Sequence, residues 1–235
     1  MTSLPREMTC GVCGARSTQT LVLSASAFGA SDLDTRPPEM LRSALRHQAQ
    51  ECPSCGYCAE DLSAAAPGLF TLVSSPEYVA QRQDSAFPGL ANRFLCCALI
   101  HEAKEQYALA GWSAIRATWA CDDEDNDPGA RICRAKTLGL FAEALRRRQP
   151  IAVSPTVGTA IRLDLLRRSG QMERVLEIAR LGVPTIPGED PGEHRLLSAV
   201  FDCERALAQR GDRGGYTLED AFRSSGGEGG RLDSV

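Results

Sequence analysis

Two stretches, Cys10-Gly11-Val12-Cys13-Gly14 and Cys52-Pro53-Ser54-Cys55-Gly56-Tyr57, decide how this chain is read. Each is a C-x-x-C-G knuckle. Thiols three positions apart can grip one ion, because a tight turn aims both sulfurs inward. The glycine that follows permits a positive φ and lets backbone amides approach the sulfurs. Together the knuckles supply four soft ligands, the set that tetrahedral zinc prefers. Cys10, Cys13, Cys52 and Cys55 are therefore the expected ligands of one structural Zn2+ per chain. The 38 residues between Cys13 and Cys52 exceed the roughly 15–20 of a compact four-cysteine site. A strand and a helix inserted between the knuckles would take up the excess.

Working outward, Thr18 to Ser26 reads as that strand, with Leu21, Val22 and Leu23 at its centre. Ala27 to Arg36 is polar and turn-like. Pro37 to Gln50 reads as the helix, with Met40, Leu41, Ala44, Leu45 and Ala49 on one apolar face. Ala64 to Gly89 is a proline-marked connection, and beyond it helical periodicity dominates. The expected helices are 91–110, 112–121, 128–148, 155–169, 172–181 and 193–209. Glycines 111, 170 and 211 are read as helix ends. Short turns between them predict antiparallel pairs. The pair 155–181, with LLRRSGQMERVLEIAR placing Gly170 in its turn, is similar to a tetratricopeptide hairpin, and ALAGWSAIRATWA (108–120) is a looser match. The expected fold is mainly α: a zinc-ribbon-like α+β module over residues 1–66, a domain of antiparallel, tetratricopeptide-like hairpins over 67–210, and a disordered tail over 211–235.

CGVCG, the loop GASDLDTRPPEM and ECPSCGYCA resemble bacterial zinc-binding families of unassigned function, the CpXC type and the family called domain of unknown function 2225. The resemblance covers residues 8–66 well and the helical part loosely. It implies zinc at the four named cysteines and carries no established activity with it. Cys58 departs from the related pattern, which often has a small residue there. It extends the second knuckle to C-x-x-C-x-x-C, but the fourth cysteine and proline of an iron–sulfur run are missing.

Other constellations are weaker. Ser31, Asp32, Asp34 and Arg36 read as a segment capping the first helix, or as a polar surface beside the zinc. His47 reads as a polar residue at a helix end. His101-Glu102-Ala103-Lys104-Glu105 lacks the second histidine of a metalloprotease helix, and Cys97 with His101 makes only half a metal site. Asp123, Asp125 and Asp127 start like a calcium loop, but Pro128 and Arg134 stand where glycine and glutamate are required. Phe94, Tyr107, Trp112 and Trp119 read as packing between helices. Arg146 to Arg148 with Arg162, Arg167, Arg168 and Arg174 could make a basic face.

The formal net charge of -4 argues against binding driven by phosphate neutralisation. No run approaches the roughly 18 apolar residues of a membrane span. The first residues, MTSLPREMTC, lack the order of a signal peptide. Ten cysteines without secretory features point to metal ligands and buried free thiols in a reducing cytosol. No phosphate loop, nucleophile elbow or dinucleotide fingerprint is present. The expectation is a non-enzymatic cytoplasmic adaptor or regulatory module that engages a protein or peptide partner. The alternatives are a thiol sensor working through Cys58 or the Cys96–Cys97 pair, and a nucleic-acid binder using the zinc module.

Overall fold

A computed structural model describes residues 1–64, 68–183 and 190–224. The chain is mainly helical and divides into two compact units. The first comprises Met1–Phe28 and Glu39–Ile151, the second Gly29–Pro38 and Ala152–Val235. The division does not fall at residue 66. The knuckles and the helices as far as Ile151 belong together, and ten residues from between the knuckles belong with the C-terminal helices.

In the first unit, β1 (Thr2–Thr9) pairs antiparallel with β2 (Arg16–Ser24), and the first knuckle is the turn between them. Two shorter ladders follow: β3 (Ala27–Phe28) with β4 (Glu39–Met40), and β5 (Gln50–Glu51) with β6 (Cys58–Ala59), the second knuckle being the turn of the latter. The helix expected over 37–50 is only α1 (Leu41–Ala44), continued by a 3-10 turn at Leu45–His47. Pro37 and Pro38 lie in the stretch that joins the second unit, and Glu39 and Met40 are taken by the ladder with β3. Few residues are then left for helix before β5. Ala44, Leu45 and Ala49 still form its buried face.

The proline-marked connection holds α2 (Leu69–Val73) and α3 (Pro76–Arg82), the latter capped by the Ser75 hydroxyl, which accepts from the Tyr78 amide at 3.2 Å. Then come α4 (Gly89–Ala103), α5 (Tyr107–Asp123) and α6 (Asp127–Arg146), each packed on the next. Gly111 ends no helix. The break falls at Lys104–Gln106, where Glu105 takes φ 55°. Gly111 sits inside α5 because a Cβ there would lie 2.4 Å from the Phe141 ring on α6. ALAGWSAIRATWA is therefore one continuous helix and not a second hairpin. Trp112 meets Phe141 edge-on with ring centroids 5.7 Å apart, and its indole N–H donates to the Ile151 carbonyl at 2.9 Å.

In the second unit, α7 (Pro155–Arg168), α8 (Met172–Ala179) and α9 (Pro191–Gln209) pack together. Gly170 lies between α7 and α8, and Gly211 just past α9. The expected tail does not begin at Gly211. The chain continues through Tyr216 and Thr217 into α10 (Leu218–Ser224), which packs on α9. Residues 225–235 of that expectation lie outside the described residues. The segment 29–38 lies against the start of α10. Leu33 N–H donates to the Tyr216 carbonyl and Leu218 N–H to that of Ser31, at 2.9 and 2.8 Å. Leu33, Asp34 and Arg36 are buried there.

No described helix is long and apolar enough to cross a membrane.

Candidate metal centre

The two knuckles repeat one backbone design. In each, the first cysteine's N–H donates to the carbonyl five residues on, Cys10 to Ala15 and Cys52 to Tyr57, both at 2.8 Å. Its carbonyl accepts from the glycine amide, Gly14 at 2.8 Å and Gly56 at 2.9 Å. Both glycines take φ 75°, a left-handed conformation costly for any residue with a Cβ. The Gly11 amide donates to the Leu62 carbonyl at 2.8 Å, tying the first knuckle to the chain beyond the second.

This symmetry brings four sulfurs together. Cys10 Sγ lies 3.8 Å from Cys55 Sγ and Cys13 Sγ lies 3.7 Å from Cys52 Sγ, and all four are within 4.8 Å of one another. These separations are far beyond a disulfide bond of about 2.05 Å. A tetrahedron with metal–sulfur bonds of about 2.3 Å has edges of about 3.8 Å, so the cluster is sized for one ion held by four thiolates. The Ala15 amide brings the Cys13 thiol down to about 7, while burial raises those of Cys10 and Cys55. A cation among the sulfurs would favour the thiolate at all four.

The second knuckle rests on a tyrosine that the sequence did not single out. Tyr78 on α3 is fully buried. Its hydroxyl accepts from the Cys58 amide at 3.0 Å and donates to the Gly56 carbonyl at 3.2 Å. Arg82, one turn on, pairs with Glu51 of β5 at 3.2 Å. An isolated tyrosine in a proline-marked connection gives no local signal of this role.

The remaining expected residues are placed elsewhere. Cys58 is buried outside the four-sulfur group, its thiol donating to the Gly56 carbonyl at 3.4 Å. His47 is half-buried, and burial holds its pKa below the ordinary value, with Arg46 and Arg93 adding to the effect. Among the described residues the four knuckle cysteines form the one group of three or more suited to a metal, so Cys97 and His101 complete no second site. His101 Nδ1 is 3.0 Å from the Gln106 amide oxygen. In the acidic stretch, Asp122 binds Arg134 through both oxygens at 2.6 and 2.8 Å, and Asn126 caps α6.

The segment around Asp34 does not cap α1, whose N-cap residue, Met40, makes no side-chain cap hydrogen bond. Asp34 pairs with Arg168 of α7 at 3.7 Å, and the Arg36 amide donates to Asp34 Oδ1 at 3.1 Å. Of the arginines expected to make a basic face, Arg146, Arg147, Arg167 and Arg168 are paired with carboxylates of their own unit. Arg146 and Arg147 are held by Glu143, and Arg147 also by Glu105. Arg167 is fully buried between Asp164 and Glu204, at 2.7 Å from each.

No family model matches the chain, and no curated protein or solved structure matches it.

Proposed function

We propose that this chain is a non-enzymatic zinc-binding adaptor, in which zinc held by Cys10, Cys13, Cys52 and Cys55 fixes the N-terminal unit and helical surfaces engage a protein or peptide partner. The observation that carries the reading is the closed set of four sulfurs with edges of 3.7 and 3.8 Å. Four thiolates fill a tetrahedral ion's coordination and leave no position for water or substrate, which is the signature of a structural site. Binding at such a centre contributes on the order of 10 kcal/mol to folding. That equals much of the roughly 5–15 kcal/mol stability of a typical domain. The likeness of residues 8–66 to the CpXC and domain of unknown function 2225 families, and a cytoplasmic location, belong to the same proposal.

Three observations favour an adaptor over the alternatives. The buried cluster of Arg167 with Asp164 and Glu204 is sealed from solvent and offers no access to a substrate. Cys58, Cys96 and Cys97 are buried, and the thiols of Cys58 and Cys97 are raised well above the ordinary value. The contact with Cys96 is the main cause for Cys58, and burial for Cys97. Thiols so placed are poor nucleophiles and poor oxidant sensors. Arg146, Arg147, Arg167 and Arg168, four of the seven arginines of the expected basic face, are engaged by carboxylates of the chain.

Metal analysis and visible absorbance of protein purified without added metal test the centre. One zinc per chain, colourless, and lost together with the order of the two knuckles and their strands in Cys52→Ser, is expected. Iron with visible absorbance would overturn zinc. Retention of no protein by the metal-loaded chain in affinity capture would overturn the adaptor.

A further inference from the structure

The adaptor reading leaves open which surface takes the partner, and the hairpin of α7 and α8 carries two features that answer it together. One is a groove of about 330 Å³, lined by Pro155 and Thr159 of α7, Ile178 of α8, Leu181 just beyond it, and Phe201 of α9. Leu181 is 85 % exposed, although it lines this groove with the apolar Ile178 one turn before it.

The other feature is charge without compensation. Pro155, Thr159 and Arg162 follow one another at i, i+4 and i+7 along α7, and Arg174, Ile178 and Leu181 do so along α8 and its end. Residues at these spacings share a helix face. Because the hairpin is antiparallel, the stripe that lines the groove leads on both helices to an arginine. Neither Arg162 nor Arg174 makes an ion pair among the described residues. Arg162 Nε is buried without a hydrogen-bond partner. Among the described residues, the side-chain partner of Arg174 is the neutral Gln171, at 2.7 Å. The other arginines of α7 are matched, Arg167 by Asp164 and Glu204, and Arg168 by Asp34. Glu173 and Glu177 are exposed on α8 and pair with neither Arg162 nor Arg174. Burial lowers the pKa of Arg162, and the charge of Arg174 lowers it further. Burying part of a cation beside a second cation is unfavourable unless an anion arrives.

We propose that this face docks an extended acidic segment of a partner protein, with an apolar side chain in the groove between Thr159 and Ile178 and a carboxylate held by Arg162 and Arg174. This rests on the adaptor reading and adds the chemistry of its partner. The spacing defines the motif. Three to four helical residues separate the groove from the arginines, a distance of about 4.5–6 Å along the axes. In an extended peptide, side chains two residues apart point the same way and are about 6.6 Å apart. The segment therefore reads apolar-x-acidic, in either direction. Arginine forks suit a carboxylate particularly well, since two can bind it at once.

The test is an NMR titration of the metal-loaded full chain with a twelve-residue glycine–serine peptide containing a central Leu-Ser-Glu. Peptides with Leu-Ser-Gln and Ala-Ser-Glu serve as comparison. Leu-Ser-Glu is expected to shift α7 and α8 amides and to bind at least fivefold tighter than either. Arg162→Gln and Arg174→Gln should each remove most of that preference while leaving metal content and the spectrum elsewhere unchanged. Equal affinity for the three peptides, or no effect of Arg162→Gln, would overturn the proposal. A further arm uses the chain ended at Ser224, because residues 225–235 contain Asp233 and Val235 at the same spacing. If only this shortened chain bound the peptide, the occupant would be the chain's own terminus and the partner assignment would be wrong. Metal analysis of the same samples separates failure of this site from failure of the zinc reading.

Discussion

Replacing Arg167 by methionine removes a cation that is fully buried and makes four directed hydrogen bonds. Its Nε binds Glu204 and its Nη2 binds Asp164, both at 2.7 Å. Its Nη1 binds the carbonyls of Asp212 and Gly214 at 3.0 and 2.8 Å. The guanidinium also lies 5.6 Å from the Tyr216 ring. Methionine approximates the volume but leaves two carboxyl groups, 2 % and 0 % exposed, without their counter-charge. Removing one partner of a buried ion pair costs about 3–5 kcal/mol. The cost depends on pH in a defined sense. Burial already raises the carboxyls of Asp164 and Glu204 above their ordinary range, and for Asp164 the charge of Glu204 adds to it. The folded chain therefore holds protons that the unfolded chain has released. The stability these groups contribute is greatest below the ordinary carboxylate range and is lost as pH rises from there through the raised values. Without Arg167 both values rise further and the loss steepens. Urea unfolding at pH 8 should show the full destabilisation. At pH 5, where the two carboxyls carry less charge than at pH 8, the destabilisation should be smaller. Adding Asp164→Asn and Glu204→Gln should recover most of the difference at pH 8. A cost under about 1 kcal/mol, or one equal at the two pH values, would refute the buried network.

Three further outcomes follow from the first unit. Gly111→Ala gains about 1 kcal/mol of helix propensity but drives a Cβ to 2.4 Å from the Phe141 ring. Overpacking of this kind costs about 1–3 kcal/mol, so a lower melting temperature is expected, with Phe141→Leu relieving it in the double variant. A higher melting temperature for Gly111→Ala alone would contradict the close approach of α5 and α6. Tyr78→Phe leaves the Cys58 amide without its hydroxyl partner and the Gly56 carbonyl with only the weaker Cys58 thiol contact, a loss of about 1–3 kcal/mol. It should also speed removal of the metal by a chelator, and an unchanged rate would show that the second knuckle stands without it. Chelation followed by alkylation and mass spectrometry should label Cys10, Cys13, Cys52 and Cys55 first. Cys121 and Cys133, buried on α5 and α6, should stay protected, and their early labelling would show that metal loss unfolds those helices as well.

Features in which a few neighbouring residues carry the chemistry are legible in the sequence. C-x-x-C-G carries the sulfurs, their spacing and the glycine that the turn requires, so a local pattern marks the four that the fold brings within 4.8 Å of one another. The α7–α8 hairpin was legible for a similar reason, since apolar periodicity and Gly170 are local signals. The tertiary structure decided what depends on distant partners. Gly111 is read in sequence as a helix end, and only Phe141, thirty residues on, shows that it is a point of close approach. The polar segment around Asp34 reads as a cap because nothing nearby marks Arg168, Tyr216 or Leu218 as its partners. Arginines that look alike in a row are sorted into buried, paired and uncompensated ones by carboxylates on other elements. A local pattern fixes turns and helical faces, but long-range pairing is chosen by the whole chain's competition for burial and charge, and that choice is absent from any short stretch.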